Sequence, residues 1–361
     1  MRDVGRKAGL DAVAIASAEP LVEARRALHE RKQLGLHGGM RFTYKNPDRS
    51  TDPQAALSGA QSIVVGAVRY ACLEPGHDGD STRLVGRVAR YAWGDRYRPL
   101  REGLDQVAAV LREEGHRSLV IADDNSMVDR AVAHRAGLGW FGRNANLLLP
   151  DLGSWYVLGS VITTAPLPVN TTPVPDGCGA CRACEPACPT GAIVGPGVID
   201  ARRCLAWLAQ APGPIPREYR AALGARVYGC DDCQDVCPVN RIADRRQPPP
   251  PAEVGDVAVV DLLEWLELSD EDLMARHGSW YIADRHPRHL RRNALVALGN
   301  VGDADDGRIV AALVRAVAHP DPLLRVHAVW ALARLGRRDL VPAADDDESV
   351  AAEIAALGDW C

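Results

Sequence analysis

The chain has 361 residues, more than one ordinary core needs, and its 47% hydrophobic and 25% charged residues are typical of a globular protein. No apolar run approaches the roughly 18 residues of a membrane span, and the N-terminus is a poor secretory signal, so we expect no membrane association. The net charge of −5 excludes a globally basic nucleic-acid binder and leaves only local patches for that role.

Helices and strands alternate over the first 165 residues, which predicts an α/β or α+β domain. The expected order begins with a helix, a strand at 12–16, a second helix, a glycine-rich loop at 35–40 and a buried strand at 61–70. It continues with a helix at 100–114, a strand at 118–122, a helix at 128–136 and a glycine turn at 137–142. Strands at 147–149 and 155–163 are expected to pair as a hairpin. Neither G-x-G-x-x-G nor a P-loop is present, so nucleotide-binding folds have no direct support.

Two cysteine runs follow a proline-rich linker at 166–175. The run at 178–188 has the spacing C-x2-C-x2-C-x3-C before a proline, and the run at 230–237 repeats the end of that pattern. Bacterial ferredoxins have this spacing, in which three thiolates of a run hold one four-iron cluster and the fourth binds the other cluster. Val227 stands where a full second copy would have a cysteine, and Cys204 can supply the missing thiolate.

The crossed geometry of this motif predicts two sets of four ligands. One cluster is expected on Cys178, Cys181, Cys184 and Cys237, and the other on Cys188, Cys204, Cys230 and Cys233. Paired C-x2-C runs also form zinc sites, but a triplet that runs into Cys-Pro is not the two-pair pattern of zinc. We therefore favour iron–sulfur clusters over zinc. Such cysteines fit a reducing cytoplasm better than a disulfide framework.

The C-terminal region is expected to be helical beyond Asp261, after a stiff proline spacer at 247–251. Residues 292–299 recur approximately at 326–333, in a way that resembles HEAT-type repeats, which stack into curved binding surfaces. An ordinary helical bundle is the alternative. The resulting prediction is an α+β protein with domains at 1–165, 166–250 and 251–361.

Together these motifs resemble the epoxyqueuosine reductases of tRNA modification, over the whole chain. The segments that carry the resemblance are GLHGGM at 35–40, residues 52–70, GRVARYAWGDRY at 86–97, AGLGWFGRNANLLLPDLGSW at 136–155, both cysteine runs and the C-terminal repeats. The resemblance implies a cobalamin-dependent oxidoreductase that removes the epoxide oxygen of epoxyqueuosine in the tRNA anticodon loop and gives queuosine. It also implies that an external low-potential donor sends electrons through a ferredoxin-like domain with two [4Fe-4S] clusters to cobalamin held against the N-terminal domain.

The resemblance assigns the proton donor to Asp123, because opening an epoxide leaves charge on oxygen. The family's D-x-G-P-V-like turn is matched only in part, since residues 123–127 read DDNSM. Asp124 is the competing candidate, and both aspartates also suit turn-forming or helix-capping roles. An acid that works at neutral pH needs burial to raise its pKa.

The same resemblance suggests which residues contact the cofactor and the nucleic acid. The candidates for cobalamin are Arg49, Asp123, Asn146, Leu147 and Asp231, each of which also suits a structural role. The candidates for tRNA are Arg241, Arg245, Arg285, Arg288, Arg291 and Arg292, with a solvated helix face as the alternative. Residues 96–98 and 206–211 depart from the family pattern where substrate or cofactor contacts are expected.

Two other functions fit part of the pattern. One is a related cobalamin and iron–sulfur reductase that acts on a small molecule, as reductive dehalogenases do. The other is a plain electron-transfer protein that has no cofactor beyond its clusters. Turnover of small organic compounds but not RNA would identify the first, and a failure to bind cobalamin would identify the second.

Overall fold

The structure is a computed structural model that describes residues 1–75, 84–170 and 172–359. Its helices are α1 (Arg2–Lys7), α2 (Val22–Gln33), α3 (Pro47–Ser50), α4 (Pro53–Ala56), α5 (Tyr97–Glu113), α6 (Asp129–Arg135), α7 (Cys184–Ala187), α8 (Leu205–Leu208), α9 (Arg217–Leu223), α10 (Asp232–Asp235), α11 (Pro238–Arg246), α12 (Leu262–Glu267), α13 (Asp270–His277), α14 (Arg288–Val301), α15 (Gly307–Val317), α16 (Pro322–Arg334) and α17 (Glu348–Ala355). Its strands are β1 (Ala12–Ser17), β2 (Ser62–Arg69), β3 (Val85–Val88), β4 (Ser118–Ala122), β5 (Trp140–Phe141), β6 (Leu147–Leu148), β7 (Tyr156–Thr163), β8 (Ile193–Gly195), β9 (Val198–Ile199), β10 (Arg226–Tyr228) and β11 (Val259–Asp261). Short 3₁₀ turns lie at Thr43–Lys45, Arg90–Ala92, Ala283–Arg285, Arg338–Leu340 and Ala356–Asp359.

The chain forms two compact units, and neither is continuous in sequence. The first unit comprises residues 1–73, 94–202 and 231–252, and the second comprises 74–93, 203–230 and 253–361. The segment at 203–230 belongs with the C-terminal helices because its β10 pairs with β3 and packs on α14. These units cut across the sequence-based domains, which remain a proposal about where each function lies.

The first unit is built on a sheet that, among the described residues, has the order β1-β2-β7-β4. Each adjacent pair in it is antiparallel. The strands predicted at 12–16, 61–70 and 118–122 are confirmed. An antiparallel sheet with packed helices is an α+β arrangement, so the α/β alternative for this region is wrong.

The hairpin predicted from the strands at 147–149 and 155–163 is also wrong. β6 pairs with β5 through Trp140–Leu148 and Phe141–Leu147, and β7 lies between β2 and β4. An isolated bridge joins Leu149, at the end of the first predicted strand, to Gly153 in the turn predicted after it, so it does not pair the two strands. β7 is buried along nearly its whole length, and only a central place in the larger sheet gives it that cover.

Helix α5 packs closely against this sheet because two glycines face each other in it. Gly66 and Gly159 are partners in the register of β2 and β7. A Cβ on Gly159 would lie 2.8 Å from the Leu104 Cδ1 atom of α5, and one on Gly66 would lie 3.0 Å from Leu104 Cδ2. The close packing brings the first turn of α5 to the end of β4.

The second unit combines a sheet with the order β10-β3-β11 and the C-terminal helices. The prediction of helix beyond Asp261 is confirmed over the described residues. The two recurring segments lie in α14 and α16, which pack on each other, and α16 also packs on α15 and α17. A HEAT-like classification of these helices stays a proposal. Among the described residues, no helix combines the length and apolar character needed to cross a bilayer.

Candidate functional site

Asp123 directly follows β4 and has a left-handed backbone with φ of 54°. Residues other than glycine rarely adopt this conformation, and it persists where the surroundings fix it. The Arg101 Nη2 atom donates to the Ala122 carbonyl at 3.4 Å, and the guanidinium lies 5.6 Å from the centroid of the Tyr97 ring. These contacts hold the start of α5 against the end of β4, so the Tyr97 side chain lies close to Asp123.

The neighbouring carboxyl of Asp124 has a different role. Its Oδ1 atom accepts a hydrogen bond from the Ser126 backbone N–H at 2.7 Å, which is the geometry of a turn-forming aspartate. The exposed Asp123 side chain is partly desolvated, which raises its pKa, while Arg101 opposes the shift and Asp124 adds to it. Of the two candidates, Asp123 has the electrostatic surroundings of a proton donor.

A further carboxyl that the sequence reasoning missed lies beside Asp123. Asp129 is the first residue of α6, and its Oδ1 atom is buried without a hydrogen-bond partner among the described residues. Burial raises the pKa of Asp129 well above the ordinary value, the charge of Asp123 adds to the shift, and Arg130 opposes it. Asp129 therefore keeps its proton to a higher pH than an exposed aspartate does. Its position soon after the candidate acid was the available sequence signal.

Two phenols connect this loop with the second cysteine run inside the first unit. Burial raises the pKa of Tyr97, and the charges of Asp123 and Asp129 raise it further. Burial also raises the pKa of Tyr70, and the charge of Asp231 raises it further. The charge of Tyr97 also raises the pKa of Tyr70. Asp123, Tyr97, Tyr70 and Asp231 therefore interact electrostatically as one group.

A buried polar network fixes the second cysteine run against the main sheet. The Gln234 Nε2 atom donates to the Tyr70 hydroxyl at 3.2 Å and to Ser154 Oγ at 3.1 Å. The Asn240 Nδ2 atom donates to the Gln234 carbonyl at 2.8 Å and to Ser154 Oγ at 3.1 Å. Satisfied buried networks favour a single geometry, so Cys237, between Gln234 and Asn240, is held in a defined place.

The four thiols predicted to hold the first cluster lie close together in the first unit. Burial raises the pKa of the Cys184 thiol, and the charges of Cys237 and Cys178 add to the shift. Burial likewise raises the pKa of Cys237, with Cys178 and Cys181 adding, while the backbone N–H groups of Val239 and Asn240 oppose it. The thiols are thus close enough to affect one another's pKa, and backbone N–H groups point at the Cys237 sulfur. Both features are typical of an iron–sulfur site.

The other four predicted ligands are divided between the units. Cys188 and Cys233 belong to the first unit, whereas Cys204 and Cys230 belong to the second. The Cys188 sulfur accepts from the Ala192 backbone N–H at 3.2 Å, and the Asn144 Nδ2 atom donates to the Cys233 carbonyl at 3.2 Å.

The structure brings most of the candidate cobalamin contacts to the edge of the Asp123 loop. Arg49 is exposed in α3, and the carbonyl of its neighbour Ser50 accepts from the Val128 N–H at 3.1 Å. Asn146 closes a turn by accepting from the Gly142 N–H at 2.8 Å, and Arg130 donates to the Ala145 carbonyl at 3.0 Å. Asp231 lies in the neighbourhood of Tyr70. The Leu147 side chain is instead buried in the core, so only its backbone is available.

The candidate tRNA contacts differ in their access to solvent. The prediction for Arg292 is wrong, because its side chain is fully buried and donates to backbone carbonyls inside the second unit. Arg291 forms an ion pair with Asp270 and has a mostly buried side chain, and Arg288 lies 3.7 Å from Asp321. The exposed candidates are Arg241, Arg245 and Arg285.

Two family models match this chain. Residues 177–240 match a 4Fe-4S double cluster binding domain, and residues 50–129 match a model described as Epoxyqueuosine reductase QueG, DUF1730. An epoxyqueuosine reductase of Bacillus anthracis is 35% identical over 334 residues, which cover 91% of this chain and 86% of the relative. One from Xanthomonas campestris is 34% identical over 345 residues, which cover 93% of this chain and 95% of the relative.

Solved structures of high similarity carry the same description. The structure of epoxyqueuosine reductase from Streptococcus thermophilus matches with a TM-score of 0.88 and 28% identity, and the match covers 99% of this chain and 97% of that one. A crystal structure of epoxyqueuosine reductase with a tRNA-Tyr epoxyqueuosine-modified tRNA stem loop matches with a TM-score of 0.86 and 29% identity. That match covers 98% of this chain and 96% of the other.

Proposed function

The chain belongs to the epoxyqueuosine reductase family, and on that premise we propose that Asp123 donates the proton in a cobalamin-dependent reduction fed by two [4Fe-4S] clusters. The chain is an oxidoreductase that reduces epoxyqueuosine in tRNA to queuosine. Its residues 177–240 form a double-cluster iron–sulfur domain. The identity of the proton donor and the use of cobalamin are the parts that we propose.

The surroundings of Asp123 are the observation that carries this proposal. Partial burial raises its pKa, and its exposed side chain leaves the proton accessible to a substrate. Loss of the oxygen as water requires two electrons and two protons. We propose that the Asp123 carboxyl donates a proton to the epoxide oxygen, and that the nearby Arg101 stabilises the carboxylate that forms. Solvent then returns a proton to Asp123, which donates it as the second proton when the oxygen leaves as water.

The residues around the Asp123 loop fit cobalamin in the chemistry of their polar groups. The Arg49 guanidinium, the Asn146 amide and the Asp231 carboxylate can exchange hydrogen bonds with the amide side groups of a corrin, and Leu147 can add a backbone contact. When bound, reduced cobalamin supplies a strong nucleophile or reductant for breaking the C–O bond. The chain's own part is to orient the cofactor, to hold the proton at Asp123 and to keep the Asp129 carboxyl protonated to a higher pH than an exposed aspartate.

The remaining assignments follow from the same family membership. We assign cobalamin and catalysis to residues 1–165, the clusters to 166–250 and tRNA binding to HEAT-like helices at 251–361. Arg241, Arg245 and Arg285 are the exposed candidates for phosphate contacts. Arg288 and Arg291, which are less exposed, follow Arg285 in α14. We place the reaction in the cytoplasm and expect an external low-potential electron donor.

Anaerobic reconstitution tests this function against the two alternatives. The protein is loaded with iron, sulfide and cobalamin, reduced, and offered an anticodon stem-loop that carries epoxyqueuosine or, separately, small organohalides. We expect queuosine in the RNA digest by mass analysis and no turnover of the organohalides. Turnover of organohalides alone would favour the small-molecule reductase, and a protein that binds no cobalamin would favour the electron carrier.

A further inference from the structure

Arg292 in α14 is a buried arginine whose side chain pairs with no carboxylate among the described residues. Its side chain has no exposed area, and its hydrogen-bond partners among the described residues are backbone carbonyls and one amide oxygen. The guanidinium donates to the carbonyls of Leu208 at 3.0 Å, Ala209 at 3.2 Å, Ala211 at 2.7 Å and Gly213. Burial lowers the pKa of Arg292 to about 9, which leaves the guanidinium protonated at neutral pH.

Asn293 extends this set of contacts to a second backbone segment. Its Oδ1 atom accepts from Arg292 Nε at 3.0 Å and from Nη2 at 2.9 Å. Its Nδ2 atom donates to the Ala209 carbonyl at 2.7 Å and to the Val227 carbonyl at 2.8 Å. The side chains of Arg292 and Asn293, called here the Arg–Asn pair, therefore connect residues 208–213 with β10.

Each segment lies a few residues from a predicted cluster ligand of the second unit. Cys204 is the N-cap residue of α8, and the Arg–Asn pair holds the C-terminal end of that short helix. Cys230 follows β10, in which Val227 is held by Asn293. The pair is thus connected to the backbone from Leu208 onward, four residues after Cys204, and at Val227, three residues before Cys230.

A buried charge is costly unless several hydrogen bonds satisfy it, and its retention calls for a physical reason. Holding two loops is one reason, since the planar guanidinium offers five donors in a fixed arrangement. Thiolate ligands and their cluster carry negative charge, and a cation anchored to the backbone that leads to two of these ligands would favour that charge.

We propose that the Arg–Asn pair positions Cys204 and Cys230 as ligands of the second cluster and supplies a fixed positive charge to it. The pair is a positioning element and touches neither substrate nor the reacting atoms. This inference rests on the proposed two-cluster function, and it adds residues outside the cysteine motif to the cluster site.

Iron analysis of variants tests the proposal after anaerobic reconstitution. In Arg292→Met we expect about half of the wild-type iron and acid-labile sulfide, because one of the two clusters is lost while the first is retained. Arg292→Lys, which keeps the charge but has fewer donors, should retain more iron than Arg292→Met. Asn293→Ala tests the same site without removing a charge, should Arg292→Met fail to fold.

Arg325→Met is the matched control. Arg325 also clamps a loop of the second unit, donating to the carbonyls of His319 at 2.9 Å and Pro320 at 3.0 Å, but that loop carries no cysteine. We expect this variant to lose thermal stability and to keep all of its iron. Cys204→Ser should reproduce the iron loss of Arg292→Met.

The reduction potential separates positioning from general stability. In the molecules of Arg292→Met that retain both clusters, the second cluster should have a more negative potential than in the wild type, whereas Arg292→Lys should leave it nearly unchanged. Full iron content and an unshifted potential in Arg292→Met and Asn293→Ala would overturn the proposal. A wild-type protein that never holds two clusters would instead contradict the proposed function.

Discussion

Asp123 and Asp124 carry the same chemical group next to each other, and their surroundings give them different roles. Asp124 is tied to the Ser126 backbone N–H, which leaves its carboxylate engaged in the turn. Asp123 has a left-handed backbone, partial burial and a raised pKa. Strained backbone is often retained at functional sites, so the distinction favours Asp123 as the acid.

Replacement of each aspartate by asparagine should separate the two roles. Asp123→Asn removes the transferable proton, and we expect kcat to fall by about 10²–10⁴-fold, the usual contribution of a general acid. Asp124→Asn keeps an oxygen that accepts from Ser126, so its kcat should stay within a few-fold of the wild type. Queuosine formation by mass analysis measures both, with iron content as the control. A larger loss in Asp124→Asn would reverse the assignment.

The pH dependence of kcat should report on Asp123. An acid works only while it is protonated, so kcat should decline as pH rises through the Asp123 pKa. Arg101 opposes the upward shift of that pKa, so Arg101→Met should move the decline to higher pH. A pH profile of the single-turnover rate gives the position of the decline. No movement, or a movement to lower pH, would show that Asp123 is not the titrating acid.

At the scale of single elements, the sequence was sufficient to predict those helices and strands that have a local hydrophobic pattern. The buried strands at 61–70 and 118–122 and the helix at 128–136 are found within a residue or so of their predicted bounds. The partners of β7 could not be predicted, because they are distant in sequence and a nearby strand offered a simpler hairpin. Tyr70 and Asp129 were missed for the same reason, since only the fold brings them close to Tyr97, which lies in the stretch at 96–98 where contacts were expected.

The facing glycines of β2 and β7 should limit what the sheet tolerates under α5. A Cβ on Gly159 would also lie 3.0 Å from the Ile121 carbonyl oxygen, which is backbone and cannot turn away. We expect Gly159→Ala to destabilise the protein by about 1–3 kcal/mol, as overpacking does. Gly195→Ala, whose Cβ would meet nothing closer than 3.8 Å, is the control. Thermal unfolding compares them, and equal midpoints would contradict the packing argument.

At the scale of the whole molecule, the two units do not follow the order of the sequence motifs. The cysteine motif was predictable from its spacing, but the division of its ligands between two units was not. Arg292 was misread because an arginine among other arginines has the same sequence pattern whether it is exposed or buried. Its contacts with residues 208–213 depend on a packing that no local pattern reveals.

The exposed arginines predict the salt dependence of RNA binding. If Arg245 contacts a phosphate of the anticodon stem-loop, Arg245→Ala should weaken binding and reduce the slope of log K against log salt by about 0.7–0.9. Arg112→Ala removes the same charge from α5, which lies in the region assigned to the cofactor and not to RNA, and should leave the slope unchanged. Filter binding across a salt series measures both variants. Identical slopes would exclude Arg245 from the interface.

The dependence of one turnover on cobalamin tests the central claim most directly. Protein with both clusters reduced is mixed, without oxygen, with a stem-loop that carries epoxyqueuosine, and the queuosine formed per chain is counted by mass analysis. We predict queuosine in proportion to the cobalamin bound, and none in protein that has its clusters but no cobalamin. An equal yield of queuosine with and without cobalamin would contradict the account.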